Sequence, residues 1–298
     1  MSKGKIAGRG IGDLQRSMER FETYNDGFIL PDTRLVLRLD AHRLGDWSAL
    51  ADEYPTGPQI TETFHETAIN LMMSSFRVKV AFVQGDEISL FLDPAENTNP
   101  LRRSSIISSF SSAAAIHFLK ASGLAATFNA RLSELPSTER LIEYFLWQRR
   151  YCYRNAITIL LRRTLLANGM SPAEAEAAFH GVPEGERIAQ LTQMGVSSNS
   201  LPKTTLRGAL FAWKATSRDP SHVAIARCTS LPDDDQEFVQ LITTWIASSG
   251  RLGAEDYGPE ATLTSTHTPL SAPSKKPDHK LNRKTNVSVF KVPSAPRG

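Results

Sequence analysis

Two β-rich runs, VKVAFVQ and ISLFL, are separated only by Gly85, Asp86 and Glu87, and that gap constrains the chain more than any other feature. A connection so short, with a glycine in it, joins antiparallel neighbours. Upstream, RLVLRLD (34–40) sets Leu35, Leu37 and Leu39 on one face at period two and reads as a strand that stops at Asp40. Between that strand and the hairpin, residues 59–77 carry Ile60, Phe64, Ala68, Leu71 and Met72 at helical spacing. Residues 101–121 read as a second helix and ATFNARLSEL (126–135) as a further strand. By Ser137 the order is β–α–β–β–α–β. The expected fold class is therefore α+β: a palm-like (ferredoxin-like βαββαβ) antiparallel sheet with helical additions.

A long helix is expected from about Thr138 to Asn168, with Gly169 at its C-cap. Ser171-Pro172-Ala173-Glu174 is a capping box with proline at the first helical position, opening a short helix that ends near Gly181. Residues 1–255 thus form one palm-type domain with C-terminal helical additions. Residues 256–298, rich in Ser, Thr, Pro and Lys, are expected to be a disordered basic tail.

Of 34 Lys+Arg and 31 Asp+Glu, seven and four lie from Glu255 onwards, so the tail supplies the whole net charge of +3 and the body holds 27 of each sign. Any case for nucleic acid must then come from local clusters. The apolar runs, such as Ala156–Leu161, are too short to span a bilayer, and the first residues are charged throughout. A cytoplasmic protein with no membrane partner is expected. Cys152 and Cys228 have no metal-ligand spacing and are expected to be free thiols.

Asp40 closes the first strand and Asp86 occupies the hairpin turn. In a β–α–β–β arrangement the first strand pairs beside the hairpin, which brings both carboxylates towards one edge. Such a pair suits Mg²⁺, a hard cation commonly held by one or two carboxylates plus substrate phosphates, and supports two-metal phosphoryl chemistry. Asp and Gly-Asp also favour turns on geometry alone. The pattern leaves both readings open.

Six segments carry a resemblance to the 3′–5′ polymerase family typified by tRNA-His guanylyltransferase. RLDAHRL resembles its R-[LV]-D-G-R-x-F motif, FVQGDEISL its Q-S-D-E-[IY]-[ST] hairpin, and LRRSSIISSFSSAAA its K-R-x-S-K-x-x-S-x-x-A-S helix. FNARLSELPS resembles F-D-[AG]-R-V-x-x-[LY]-P-[SN]. LWQRRYCYRNAITILLRRTLLANGMSPAEA is similar to the W-R-Q-x-D-x-H-x-N segment with its long helix, and LPKTTLRGALFAW to L-P-x-x-x-[KR]-G-x-x-x-x-W. The order is collinear from about Gly12 to Trp245.

The resemblance implies a nucleotidyltransferase of tRNA processing that adds a nucleotide to an RNA 5′ end. Such an enzyme first activates a 5′-monophosphate with ATP or GTP, then lets the 3′-hydroxyl of an incoming nucleotide attack. It implies two Mg²⁺ ions on Asp40, Asp86 and the backbone carbonyl of Ala41, with Glu87 assisting, and GTP or ATP as substrate. The loop from His42 through Arg43 to Ser48 would seat the triphosphate. Arg102, Arg103, Arg131, Arg154, Asn155 and Arg187 are the further nucleotide or phosphate contacts. The implied partners are a nucleoside triphosphate and the 5′ end of tRNA or another RNA, in a homotetramer or homodimer.

The chain departs from the family pattern at Gly85 (for serine), Ile106 (lysine), Asn129 (aspartate), Tyr151 (aspartate) and Tyr153 (histidine), and EYPTGP lacks the family's lysine. Arg187 falls near another family lysine. Lysine point charges and a histidine titrating near neutrality are thereby removed. The metal corner is kept, so the departures bear on the 5′-activation half of the chemistry. Two rival readings are an enzyme transferring a nucleotide to a small molecule or making a nucleotide signal, and a non-catalytic RNA- or nucleotide-binding relative.

Arg102, Arg103, Arg131, Arg149, Arg150, Arg154, Arg162 and Arg163 form local basic clusters, read either as a phosphate-gripping face or as a solvated helix. Tyr144, Phe145, Trp147, Tyr151 and Tyr153 could stack bases; for Phe145 and Trp147, core or subunit contacts are expected. His65, His117 and His180 stand alone and are expected to be ordinary surface or core histidines.

Overall fold

The computed structural model describes residues 27–30, 32–42, 57–74, 78–92, 102–216, 219–248, 263–264, 287–288 and 290–291. In chain order these form β1 (Arg34–His42), α1 (Pro58–Met72), β2 (Val78–Gln84), β3 (Glu87–Leu92), α2 (Arg103–Ser122), β4 (Thr127–Leu135) and α3 (Thr138–Ala167). Then follow α4 (Pro172–Phe179), α5 (Glu184–Gln193), α6 (Lys203–Arg207), β5 (Ala209–Thr216), β6 (Asp219–Cys228) and α7 (Asp235–Ser248). Three two-residue strands complete the set: β7 (Leu263–Thr264), β8 (Val287–Ser288) and β9 (Phe290–Lys291).

The main sheet runs β4-β1-β3-β2-β5-β6-β9, every pair antiparallel. Its first four strands have the expected ferredoxin-like order, with β1 between β3 and β4. Leu35, Leu37 and Leu39 lie on one face with Ile88 and Leu90 of the hairpin. That face is closed by Ile60, Phe64 and Ala68 of α1 and by Ile106, Phe110, Ala114 and Phe118 of α2, spaced four apart. On the other face, Val36, Phe82 and Phe91 meet Leu141 and Phe145 of α3 and Phe238, Ile242 and Trp245 of α7. The far half of α3 carries a third cluster, where Ile157, Leu161 and Leu165 pack on Ala175, Phe179 and Leu191 of α4 and α5.

The capping box forms as its residues dictate: Ser171 Oγ accepts from Glu174 N (3.3 Å) while Ser171 N donates to Glu174 Oε2 (2.8 Å). Gly169 follows the Asn168 C-cap with a positive φ of 90°. Cys152 and Cys228 are both buried free thiols. No helix among the described residues is long and apolar enough to cross a membrane.

Three expectations need correction. The helix expected over 59–77 ends at Met72, and residues 75–77 lie outside the described ones. Glu87 is not part of the hairpin loop: it is the first residue of β3, leaving a two-residue turn of Gly85 and Asp86. The sheet continues beyond four strands into β5 and β6. Leu210, Phe211 and Ala212 of β5 are buried on both faces, so the strand has no period-two signature to read. Of the tail at 256–298, β7 pairs in parallel with β8 and β9 pairs with β6; its other residues lie outside the described ones, as do Arg43 and Ser48.

Gly208, between α6 and β5, has φ 79°, and a Cβ there would sit 2.8 Å from the Val83 carbonyl oxygen and 2.6 Å from Phe82 Cζ. Strained backbone and a clash with a central strand act together. Gly208→Ala is expected to lose about 2–3 kcal/mol of stability, within the range known for such strain and overpacking. Denaturant unfolding that finds the variant as stable as the parent would refute this close approach.

Candidate active site

Strand pairing assembles the site. β1 pairs with β3 so that Asp40 lies opposite Glu87, and with β4 so that Asp40 lies opposite Asn129. The backbone N–H of Ala41 donates to the Asp86 carbonyl oxygen at 3.1 Å, fastening the end of β1 to the hairpin turn. Asp40, Ala41, Asp86 and Glu87 therefore share one corner of the sheet. His42 ends β1 in an exposed position, its carbonyl accepting from Thr127 Oγ1 at 2.6 Å.

Period two brings Arg38 to the same face, and the sequence reading missed it. Its Nε lies 3.3 Å from Asp40 Oδ1 and 3.8 Å from Glu87 Oε2. Arg131 on β4 holds Nε 3.8 Å from Asp40 Oδ2, its side chain 71% exposed. Even so, Asp40 Oδ2 is buried without a hydrogen-bond partner. Burial pushes the Glu87 carboxyl up to about 7, Arg38 pulling it down and the neighbouring Asp40 and Asp86 adding to the rise. Among the described residues no group of three or more His, Cys, Asp and Glu side chains is placed to hold a metal ion by itself. The corner gathers the Asp40 and Glu87 carboxylates beside the Asp86 turn.

A buried polar network backs the corner, also missed from sequence. Gln84 Nε2 donates to Glu87 Oε2 (3.0 Å) and, in a short contact, to Gln148 Oε1 of α3. Gln148 Nε2 donates to Tyr144 Oη at 3.1 Å, and Tyr144 Oη lies 3.3 Å from Ser89 Oγ. Beside the turn opens a recess of about 540 Å³, counting its open mouth, lined by Gly85, Asp86, Cys152, Asn155, Thr61 and His65 among others. His65 Nδ1 lies 2.6 Å from Arg227 Nη2, which has no lone pair, so Nδ1 is the acceptor. Burial first, with Arg227 adding to it, lowers the proton affinity of His65.

The other expected contacts are dispersed. Arg102 stacks over Phe28 at 4.8 Å, and Arg103 pairs with Glu134 at 2.5 Å. Arg154 is exposed and stacks over Tyr151 at 4.8 Å. Arg187 donates to Val182 O, Phe179 O and Thr158 Oγ1, holding α5 to α3 and to the end of α4. Within the basic cluster on α3, Arg149 is 2% exposed and donates to Asp235 and to the carbonyls of Pro232 and Asp233, fixing the start of α7. Arg150 pairs with the same Asp235. Phe145 is core as expected; Trp147, expected in the core or against another subunit, is 47% exposed in the chain.

The family model described as tRNAHis guanylyltransferase matches residues 15–140. A protein named tRNA(His) guanylyltransferase from Debaryomyces hansenii is 25% identical over 210 residues, covering 65% of this chain and 77% of its own. Among solved structures, tRNA(His) guanylyltransferase of Saccharomyces cerevisiae superposes with a TM-score of 0.56 at 20% identity, covering 65% of this chain and 91% of its own. A bacterial tRNA(His) guanylyltransferase-like protein, solved with GTP and with ATP, superposes with TM-scores of 0.58 and 0.59 at 17% and 19% identity. Those matches cover 80% and 82% of this chain and the whole of the bacterial one, and they establish a shared fold.

The raised Glu87 carboxyl has a consequence for stability. The folded chain holds this proton more tightly than the unfolded chain, whose ordinary value is 4.5, so stability contributed by protonated Glu87 falls as pH rises from about 4.5 to about 7. In a metal-free buffer the loss is expected to reach up to about 3 kcal/mol, and Glu87→Gln is expected to remove it. Urea unfolding in EDTA at pH 5 and pH 8 checks this; the same pH dependence in parent and variant would overturn it.

Proposed function

We propose that this chain, whose residues 15–140 match the tRNA-His guanylyltransferase family model, is a member of that family, a nucleotidyltransferase that adds a nucleotide to the 5′ end of RNA in the 3′–5′ direction. The observation that carries this reading is the corner itself, where Asp40 pairs across the strands with Glu87 and Ala41 is hydrogen-bonded to Asp86. Relatives named for tRNA(His) and solved with GTP and ATP support a nucleoside triphosphate and an RNA end as substrates.

The corner fits Mg²⁺. Its side chains offer oxygen donors and Asp40 Oδ2 is buried with no hydrogen bond, and phosphate oxygens and water would supply the remaining ligands. Asp40, Asp86 and the Ala41 carbonyl would hold two ions, with Glu87 assisting. Bound there, the ions would supply a more acidic attacking hydroxyl and charge neutralisation at the leaving pyrophosphate. The protein's own part is positioning. Arg38 holds Asp40 and Glu87 at fixed places, the Gln84–Gln148–Tyr144 network fixes Glu87 from below, and Arg131 and Arg154 offer exposed cations to phosphates.

The 5′-activation half is assigned elsewhere. Tyr153 stands where the family has histidine, and Arg207 stacks on its ring at 4.5 Å; a phenol does not serve as a base near neutral pH without a strongly lowered pKa. Ile106, where the family has lysine, is fully buried in the core under the sheet. The chain therefore extends RNA ends that are already activated.

Incubation with Mg²⁺ and labelled nucleotides should label 5′-triphosphorylated tRNA and leave 5′-monophosphorylated tRNA unlabelled. Equal labelling of both would restore the activation step, and pyrophosphate release without RNA would favour a small-molecule acceptor. Asp86→Asn should cut turnover by roughly 10²–10³-fold, the scale of losing one stabiliser of transition-state charge; an unchanged rate would remove the metal assignment. The family resemblance further leads us to expect a homodimer or homotetramer. Light scattering at micromolar concentration that returns the 32.9 kDa monomer would contradict this.

A further inference from the structure

Along one side of α3 the side chains stack in series. The Arg38 guanidinium lies 5.8 Å from the centre of the Trp147 ring, and Trp147 lies 6.0 Å from Tyr151 with the rings tilted by 38°. The Arg154 guanidinium caps the series 4.8 Å over Tyr151. Tyr144 meets the Trp147 ring edge-on at 5.4 Å and props it from the helix side. Trp147, Tyr151 and Arg154 are spaced i, i+4, i+7 and share one face. The core takes a different face of the helix, through Leu141, Phe145, Gln148 and Cys152. Trp147 is 47% exposed and Arg154 is exposed. One end of the series abuts the candidate metal corner, since Arg38 also lies 3.3 Å from Asp40.

An exposed aromatic stripe on a helix is more often a contact between proteins. Here both of its ends are guanidinium groups, and Arg131, 71% exposed, stands beside Asp40 at the inner end. Arg38 is already paired with Asp40 and Glu87, but an apolar protein partner would have to bury the exposed Arg154 guanidinium and that of Arg131. A nucleotide chain offers what the surface lacks: flat bases for the rings and phosphates for the cations.

We propose that the Trp147–Tyr151 ladder is the stacking platform for the unpaired 5′-terminal nucleotides of a single-stranded RNA end, with Arg154 and Arg131 taking phosphates. The proposal rests on reading the corner as a nucleotidyltransferase site, because it makes the platform the track along which an RNA end reaches Asp40. Stacking on rings is tolerant of base identity, so the platform orders the end of the acceptor and leaves sequence choice to other contacts.

The test is binding alone, with no nucleoside triphosphate added, so that it fails separately from turnover. Fluorescence anisotropy would follow the full chain binding a short single-stranded RNA with a 5′-triphosphate and a 3′ fluorophore. Trp147→Ala and Tyr151→Ala are each expected to weaken binding by at least about tenfold, the lower part of the range for lost base stacking. Trp147→Phe should recover most of that loss, and affinity for free GTP should stay at the parent value in all three variants. Parent-like RNA affinity in both alanine variants would overturn the proposal. So would light scattering in which Trp147→Ala dissociates an assembly while RNA affinity holds, since the face would then be a contact between copies. Should Trp147→Ala fail to fold by circular dichroism, Tyr151→Ala decides.

Discussion

The pairing of β1 between β3 and β4 is the constraint from which the rest of the corner follows. Because side chains alternate along a strand, one register sets both faces at once. The register that buries Leu35, Leu37 and Leu39 under α1 and α2 also turns Arg38 and Asp40 to the opposite face. A slip of one residue would bury the carboxylate among leucines and expose the core. Stability of the sheet and placement of Asp40 are thus a single choice, and the hydrophobic effect enforces the geometry on which the chemistry depends.

That placement carries an electrostatic cost. Asp40, Asp86 and Glu87 crowd one corner, and burial, with Asp40 and Asp86 adding to it, holds the Glu87 proton up to about 7. Arg38 offsets part of the repulsion, yet Asp40 Oδ2 stays without a hydrogen bond. A fold under no functional demand would be expected to relieve such crowding, since a buried unpaired acceptor costs about 1–3 kcal/mol. A binder of phosphates would gain nothing from it either, unless a cation sits between the two sets of negative charge. Asp40 Oδ2 is thus an acceptor that the folded polypeptide leaves open.

Much of this was legible in the residues. The alternation of Leu35, Leu37 and Leu39, the four-residue spacing of Phe64 and Ala68, the Gly85-Asp86 turn and the Ser171–Glu174 box each report local geometry, and each appears where the sequence put it. β5 did not announce itself, because a central strand buried on both faces loses its alternation. On α3 the sequence reading placed Arg149 in a basic cluster, either phosphate-gripping or solvated, and Trp147 in the core or against another subunit. In the folded chain Arg149 is buried and Trp147 stands half in solvent. The cause is Asp235, 86 residues further along, whose carboxylate together with the Pro232 and Asp233 carbonyls satisfies the guanidinium. A partner so distant in sequence leaves no trace in helical periodicity.

Buried anchoring residues let α3 serve several ends. Buried Arg149 ties it to α7, Gln148 reaches down to Gln84 and Glu87, and the outer half packs α4 and α5 through Ile157 and Leu161. With its inner faces committed to packing and to the corner, the helix has one side left to evolve freely. On this helix the chain differs from the family pattern it resembles, with Tyr151 and Tyr153 where that pattern has an acid and a histidine. Placing phenol rings where that pattern has a carboxylate and an imidazole leaves the Asp40–Glu87 corner untouched and adds stacking surface. A helix so anchored can change what it presents to an acceptor without disturbing the carboxylates it supports, and divergence in substrate is cheapest at such a place.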